Sequence, residues 1–307
     1  MVNAENDNPS TMAMPGFAPG MAMDDAQFEQ WRDLLESRTG MTLTPERRSF
    51  LEANVGTRLR ELGFPSYQAY YEKVMYGPGA IAEWATLVDR LTVQETRFFR
   101  DADAFELVAD YARERYREPN CRTLEAWSLG CATGEEAYTL AMILHKAASE
   151  AAGRRYFGVT GTDISLVALD KARHGVYGPR RLAGTAPYWQ SHYFETLTDN
   201  SVSVIPELRK RVSFSQLNIL ELRHAPMHGM DIIFCQNVLI YFRRWRRRDI
   251  ANRLADLLAP GGLLILGQGE LTDWQHPELT PVAARKVLAW QRSDPQNGNR
   301  SDHGPAR

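Results

Sequence analysis

The residues best suited to chemistry sit in four short stretches of this 307-residue chain. In the first, Gly130-Cys131-Ala132-Thr133-Gly134 follows an apolar run ending at Leu129 and leads straight into a helical pattern opened by Glu135 and Glu136. Glycines there allow a sharp turn and close approach of the backbone to a ligand, and a helix start offers free N–H groups. No Lys-Ser or Lys-Thr follows Gly134, and the spacing is not GxGxxG, so neither a Walker loop nor a dinucleotide fingerprint is present. Two acids at the helix start repel a pyrophosphate and suit a cationic ligand; with no ligand at all they would complement the helix dipole. The second stretch ends an apolar run at Thr162-Asp163. A carboxylate at the end of a second strand can accept both hydroxyls of a ribose, or it can cap the helix expected over 165–174. Turn and acid together favour an adenosine-containing ligand. With no phosphate loop, S-adenosylmethionine, which carries a sulfonium and an ammonium and no phosphate, fits better than NAD.

The third stretch is LTVQETRFFRD (91–101) and the fourth is DIIFCQNVLIYF (231–242), where Gln236, Asn237 and Tyr241 interrupt an apolar strand at its C-terminal end. In an open α/β sheet that end faces the ligand crevice. Phe98, Phe99, Ile240 and Phe242 read as core.

The elements that must position these residues form two patterns. From Asp24 to about Arg90 the apolar spacing is helical: Phe28, Trp31 and Leu35 before a C-capping Gly40, then Leu51, Val55 and Leu59 after Thr44-Pro45-Glu46. A third helix follows Ser66, and Gly77-Pro78-Gly79 separates it from a fourth that carries Ile81, Trp84, Leu87 and Val88. This predicts a small all-α helical bundle over 24–90. Residues 91–123 join the two patterns as a linker segment. From about Leu124 short apolar runs alternate with amphipathic helices, the pattern of an α/β domain with a mainly parallel sheet, here 124–291. The stretch from Tyr177 to Phe214 breaks that rhythm and contains the strand-like VSVIP. Residues 1–23 and 292–307 are rich in Pro, Gly, Asn and Met or in polar residues, without periodicity, and read as a disordered lead and tail.

Composition excludes several classes. With 44% hydrophobic and 24% charged residues the chain is neither fibrous, disulfide-rich nor disordered as a whole. Net charge is −2, so no global field favours nucleic acid, and the run Arg243-Arg244-Trp245-Arg246-Arg247-Arg248 reads as a solvated helix start or a docking face. Three cysteines without CxxC spacing predict reduced thiols and no bound metal. The N-terminus lacks signal-peptide character, and the most apolar run, 261–267, is too short to span a bilayer, so a cytoplasmic protein is expected with no membrane insertion.

Six ordered motifs also carry a resemblance: LTVQETRFFRD, WSLGCATGEEAYTLAM, GTDIS followed by ALDKARHGVY, FSQLNIL, DIIFCQNVLIYF and LLAPGGLLILGQGE, covering about Asp24 to Trp290. In these the chain resembles the chemotaxis receptor methyltransferases, S-adenosylmethionine-dependent protein-glutamate O-methyltransferases that release S-adenosylhomocysteine. The resemblance implies a Rossmann-like class I methyltransferase domain, with a small antiparallel β subdomain inserted at 178–215, preceded by the helical bundle. It also implies site roles. Gln94, Thr96 and Arg100 would lie over the cofactor, Gly130 in its loop, and the Glu135/Glu136 pair at its methionine end. Asp163 would hold the ribose, Asn218 and Ile219 would flank the adenine, and Gln236 and Asn237 would close the pocket. Arg100 and Tyr241 would stand nearest the transferring methyl. Against the family pattern, Gln94 stands for Asn, Gln236 for Arg, Ala137 for Pro, and Gly267-Gln268-Gly269-Glu270 for GHSE. The turn after Tyr193-Phe194 is short beside members that grip a receptor's tether peptide, which puts tether binding in question.

The implied substrate is a methyl-accepting chemoreceptor cytoplasmic domain. A glutamate is ionised at pH 7, so its methylation needs no general base, only positioning and partial desolvation. Two rival readings are methylation of a small carboxylate and a non-catalytic module that senses the cofactor.

Overall fold

The computed structural model describes residues 22–283 and 286–294; the expected disordered lead and tail fall, over 1–21 and 295–307, outside the described residues. Four helices form the first unit: α1 (Asp25–Thr39), α2 (Arg48–Glu61), α3 (Tyr67–Tyr76) and α4 (Ala80–Leu91). α1 starts in a reciprocal capping box, in which Asp24 accepts from the Gln27 N–H and Gln27 from the Asp24 N–H, and it ends at Gly40 with φ +78°. Ser66 caps α3 through the Ala69 N–H. The apolar stripes meet in a core of Trp31, Leu51, Val55, Tyr70, Val74 and Leu87. Met23, expected in the disordered lead, is buried in the same core at 1% exposure: a thioether beside Phe28 and Trp31 is worth more inside than in water.

One polar trio sits within that bundle. Glu83 on α4 receives two bonds from Arg58, at 2.8 Å each, and one from the Tyr70 hydroxyl at 2.6 Å. Removing the acid would leave the buried Tyr70 phenol without this partner and Arg58 with only its 3.1 Å bond to Glu61. Glu83→Ala is therefore expected to destabilise the protein by about 3 kcal/mol, measured by chemical denaturation.

The second unit opens with α5 (Ala102–Arg117), capped by Asp101, and β1 (Thr123–Leu129). There follow α6 (Glu135–Glu150), β2 (Tyr156–Asp163), α7 (Leu166–His174), β3 (Val176–Tyr177), α8 (Pro187–Tyr193), β4 (Phe194–Thr196) and β5 (Val202–Val204). The chain continues through α9 (Pro206–Arg209), β6 (Val212–Gln216), β7 (Met230–Cys235), α10 (Arg244–Leu257), β8 (Leu258–Leu266), β9 (Leu279–Pro281) and β10 (Leu288–Arg292). Seven strands form one sheet in the order β6-β2-β1-β7-β8-β10-β9, parallel from β6 to β8, with β10 antiparallel to both its neighbours. Helices cover both faces, so the central strands are largely buried, and all six residues of β7 are. The strand order reverses beside β1, between β2 on one side and β7 on the other, which is where an open sheet forms its crevice.

The interruption after α7 is a separate three-stranded antiparallel sheet, β3-β5-β4. It begins at Val176, two residues before the expected 178, and ends at Val204. Val212–Gln216 belongs to the large sheet, because β2 has a free edge that β6 completes in parallel. The five residues 197–201 make the turn between β4 and β5, closed by the Leu197 N–H on the Ser201 carbonyl. Helix α10 stops at Leu257 and Leu258 is already strand, so Pro260, Gly261 and Gly262 lie within β8 rather than in a loop after the helix. Among the described residues no helix is long and apolar enough to cross a membrane.

Candidate active site

A single cleft runs along the C-terminal ends of β1, β2 and β7. Its floor is the turn after β1. The N–H groups of Gly130 and Cys131 both donate to the Thr162 carbonyl, at 2.8 and 2.9 Å, folding the turn back onto β2. Gly130 sits at φ +77°, and a Cβ there would stand 2.3 Å from Val238 Cγ2, so only glycine fits. Ala132 adopts φ +47° without being glycine. That strained geometry is held by Asp163, whose Oδ2 accepts the Ala132 N–H at 2.9 Å while Oδ1 accepts the Ser165 N–H at 2.9 Å. The cap of α7 is thus Ser165, which accepts the Ala168 N–H, and not Asp163. Burial raises the Asp163 carboxyl above its ordinary range, and its backbone hydrogen bonds pull it back down.

Of the two acids opening α6, Glu136 lines the cleft and Glu135 does not. Glu135 is the correction to the expected pair. Its side chain is wholly buried away from the cleft, accepting from the Thr133 hydroxyl at 2.6 Å and lying 3.5 Å from Arg181. Neighbouring helix positions point about 100° apart, so only one can face the crevice. Arg181 also donates to the Thr96 carbonyl at 2.6 Å, so Glu135 helps to hold the linker over the cleft. Glu136 accepts one bond from Ser128 at 2.7 Å. Its enclosure pushes the carboxyl up to about 8.

The linker forms the roof. Gln94, Thr96 and Arg100 all line the cleft. Gln94 donates to Ser165 Oγ at 2.7 Å and Arg100 to the Glu95 carbonyl at 2.8 Å. Asn218, Ile219, Gln236, Asn237 and Tyr241 complete the lining. Two of their side chains are engaged within the protein. Asn218 Nδ2 donates to the Arg38 carbonyl at 2.7 Å, and Gln236 Nε2 to Asp101 at 2.8 Å, which fastens the start of α5 to the end of β7. Asn237 is held at φ +61°.

Several contributors were not visible in the sequence. Thr39 and Met41, from the connection after α1, form part of the wall. The bundle is fixed there by the Thr42 N–H on the Tyr241 carbonyl at 2.7 Å and by the Glu36–Arg243 ion pair. Glu270, at 2% exposure, accepts the N–H groups of Gly267 and Ile240, at 2.7 and 3.3 Å. The only signal for it was an acid at the end of a strand motif.

The lining suits S-adenosylmethionine. Three acids line the cleft, Glu95, Glu136 and Asp163, beside Arg97 and Arg100, and no lysine lines it among the described residues. A sulfonium and an ammonium would favour the ionised form of Glu136, and a polyphosphate would not.

A family profile described as the CheR methyltransferase all-alpha domain matches residues 26–92, and one described as the CheR methyltransferase SAM binding domain matches residues 94–287. Among curated proteins, the chemotaxis protein methyltransferase of Salmonella typhimurium is 35% identical, covering 81% of this chain and 85% of its own length. That of Escherichia coli is 34% identical over 81% and 86%. Chemotaxis protein methyltransferase 1 of Pseudomonas aeruginosa is 31% identical over 81% and 92%. A helical bundle hydrogen-bonded to a seven-stranded methyltransferase sheet, with both parts matched in order, places this chain in the CheR family of S-adenosylmethionine-dependent chemotaxis methyltransferases.

Proposed function

We propose that the chain transfers the methyl of S-adenosylmethionine to glutamate side chains of a chemoreceptor's cytoplasmic domain. The products are glutamyl methyl esters and S-adenosylhomocysteine. The observation that carries this reading is the make-up of the cleft: Arg100 and Tyr241 line it, and none of the described lining residues is His, Lys or Cys. A site without an imidazole or amine base suits an acceptor that is already an anion.

The cofactor supplies an electrophilic methyl on a sulfonium. The carboxylate oxygen forms the new C–O bond as the C–S bond breaks, and no proton has to move. The protein's residues do the rest. Glu136 faces the positive methionine end, and Asp163 accepts from the ribose. Gln94 and Thr96 cover the cofactor from the linker. Arg100 is exposed and tethered only to the Glu95 carbonyl, so its guanidinium can guide an incoming carboxylate. A tight clamp would over-stabilise the ground-state anion and slow the step. Tyr241 is half-buried, and its phenol is kept protonated by that burial, so it can donate to the carboxylate and orient it. The relatives' names support chemotaxis as the setting.

The test uses S-adenosylmethionine labelled in its methyl group, the protein, and receptor-bearing membranes, followed by alkali and collection of volatile methanol. Base-labile label is expected; alkali-stable label would place the methyl on nitrogen and end the glutamate assignment. In the same assay Arg100→Ala and Tyr241→Phe should each lower turnover about tenfold to a hundredfold. Near-normal rates in both would remove them from the mechanism.

A further inference from the structure

The arginine run of 243–248 finds most of its partners inside the protein. Arg243 pairs with Glu36, Arg244 reaches the Thr272 hydroxyl at 3.2 Å, and Arg248 approaches the Thr272 and Asp273 carbonyls at 3.4 Å. Arg247 does something different. It is half-buried, and all three of its nitrogens donate to carbonyls of the loop that carries Tyr241 or of the acid beneath it. Nε bonds to the Phe242 carbonyl at 2.8 Å, Nη2 to the Ile240 carbonyl at 3.2 Å and Nη1 to the Glu270 carbonyl at 3.1 Å.

The same loop is held a second time, by its N–H groups. Glu270 accepts the Ile240 N–H at 3.3 Å and the Gly267 N–H at 2.7 Å, and its carboxylate also faces the N–H groups of Asn237 and Leu239. The residues on either side of Tyr241 are therefore gripped through their carbonyls by a guanidinium, while a carboxylate takes the N–H groups just before it. The loop needs such support: it leaves β7 through Asn237 at φ +61° and passes through a 3-10 turn at Leu239–Tyr241. A planar guanidinium can satisfy three diverging acceptors at once, which a lysine ammonium on a flexible stem cannot do in the same geometry. Arg247 is not among the cleft-lining residues, so any effect it has on the reaction passes through the loop.

We propose that Arg247 is a positioning residue for methyl transfer: by fixing the carbonyls on both sides of Tyr241 it holds the phenol at the mouth of the cleft. This rests on the reading above, in which Tyr241 orients the acceptor carboxylate. The test is a cycle of Arg247→Ala, Tyr241→Phe and the double variant in the full chain. Methyl transfer to receptor-bearing membranes is followed together with calorimetric binding of S-adenosylmethionine.

Arg247→Ala should lower kcat about tenfold, since a displacement of order 1 Å at a reacting group has effects of that size or larger. The receptor KM and the cofactor Kd should stay within about twofold of wild type. In the Tyr241→Phe background the same change should cost less than about twofold, because no hydroxyl remains to be misplaced. Arg247→Lys, which keeps charge and length, should fall between Arg247→Ala and wild type, and it carries the same comparison if the alanine variant does not fold. Unchanged kcat, or cofactor affinity falling in step with kcat, would overturn the proposal. Losses that multiply on top of an impaired Tyr241→Phe would overturn the role of Arg247 alone. Full turnover in Tyr241→Phe by itself would overturn both this role and the reading of Tyr241.

Discussion

Asp163→Ala should weaken S-adenosylmethionine binding about a thousandfold, to the point where calorimetry at micromolar protein detects no heat. The carboxylate sits at the C-terminal end of β2, at the switch point of the sheet; Oδ2 takes the Ala132 N–H and Oδ1 the Ser165 N–H, the Ile164 N–H also faces it, and it borders the cleft where two ribose hydroxyls would donate to it. Two charge-assisted hydrogen bonds at about 2 kcal/mol each amount to about three decades in Kd. The substitution has a second consequence. Without Oδ2 the Ala132 N–H is orphaned, and the φ +47° conformation of that residue loses its tether. Asp163→Asn, which keeps one carbonyl acceptor, should be intermediate. The melting temperature of each variant separates the two contributions: a large loss of affinity with little loss of stability locates the effect at the ribose. Unchanged binding in the alanine variant would mean that the ribose is held elsewhere.

The second large effect concerns Glu136 and pH. Enclosure raises its carboxyl to about 8, against an ordinary 4.5, so in the ligand-free protein it is mostly protonated at neutral pH. A cationic ligand requires the ionised form. Binding must then release a proton below about pH 8, and the wild-type Kd should fall about tenfold for each unit of pH rise between 6 and 8 before levelling off. Glu136→Gln should abolish this slope, matching wild type near pH 6 and binding one to two decades more weakly at pH 8.5. Calorimetry in buffers of different ionisation enthalpy measures the released proton directly.

The same group sets a stability trend of the opposite sign. Because its folded pKa lies above the unfolded value, it contributes stability that is complete below about pH 4.5 and is lost as pH rises through about 8. The thermal shift produced by the cofactor should accordingly be larger at pH 8.5 than at pH 6.5. A pH-independent Kd in the wild type would place the methionine end away from Glu136.

How much of this was legible in the sequence depended on the range of the interaction. Local rules wrote themselves plainly: Gly40 and Ser66 as helix caps, Gly130 as a turn that no side chain could enter, and alternating strands and helices from Leu124 onward. Choosing between Glu135 and Glu136 was beyond them. Both suit a helix start equally, and the choice was made by which face of α6 packs against Thr133 and Arg181. Gln236 reads only as a polar residue at a strand end, and Asn218 enters through the resemblance alone; their amides are bonded to partners 135 and 180 positions away, a relation that no spacing encodes. Arg247 was hidden among like charges, since a run of arginines looks the same whether it is solvated or spent on carbonyls. The expected subdomain, 178–215, overlaps β6 (Val212–Gln216), because residues 212–215 fit the end of an antiparallel excursion as well as a parallel edge.

One wall of the cleft comes from the helical bundle, through Thr39 and Met41, and the Thr42 N–H is bonded to the carbonyl of Tyr241 itself. A ligand filling that cleft is shared property of two domains and acts as mortar between them. Thermodynamic reciprocity then applies: whatever factor the bundle's docking adds to cofactor affinity, the cofactor must return to the bundle's docking. A full cleft thereby stiffens the seam between bundle and sheet, and whatever loosens that seam loosens the cofactor's grip.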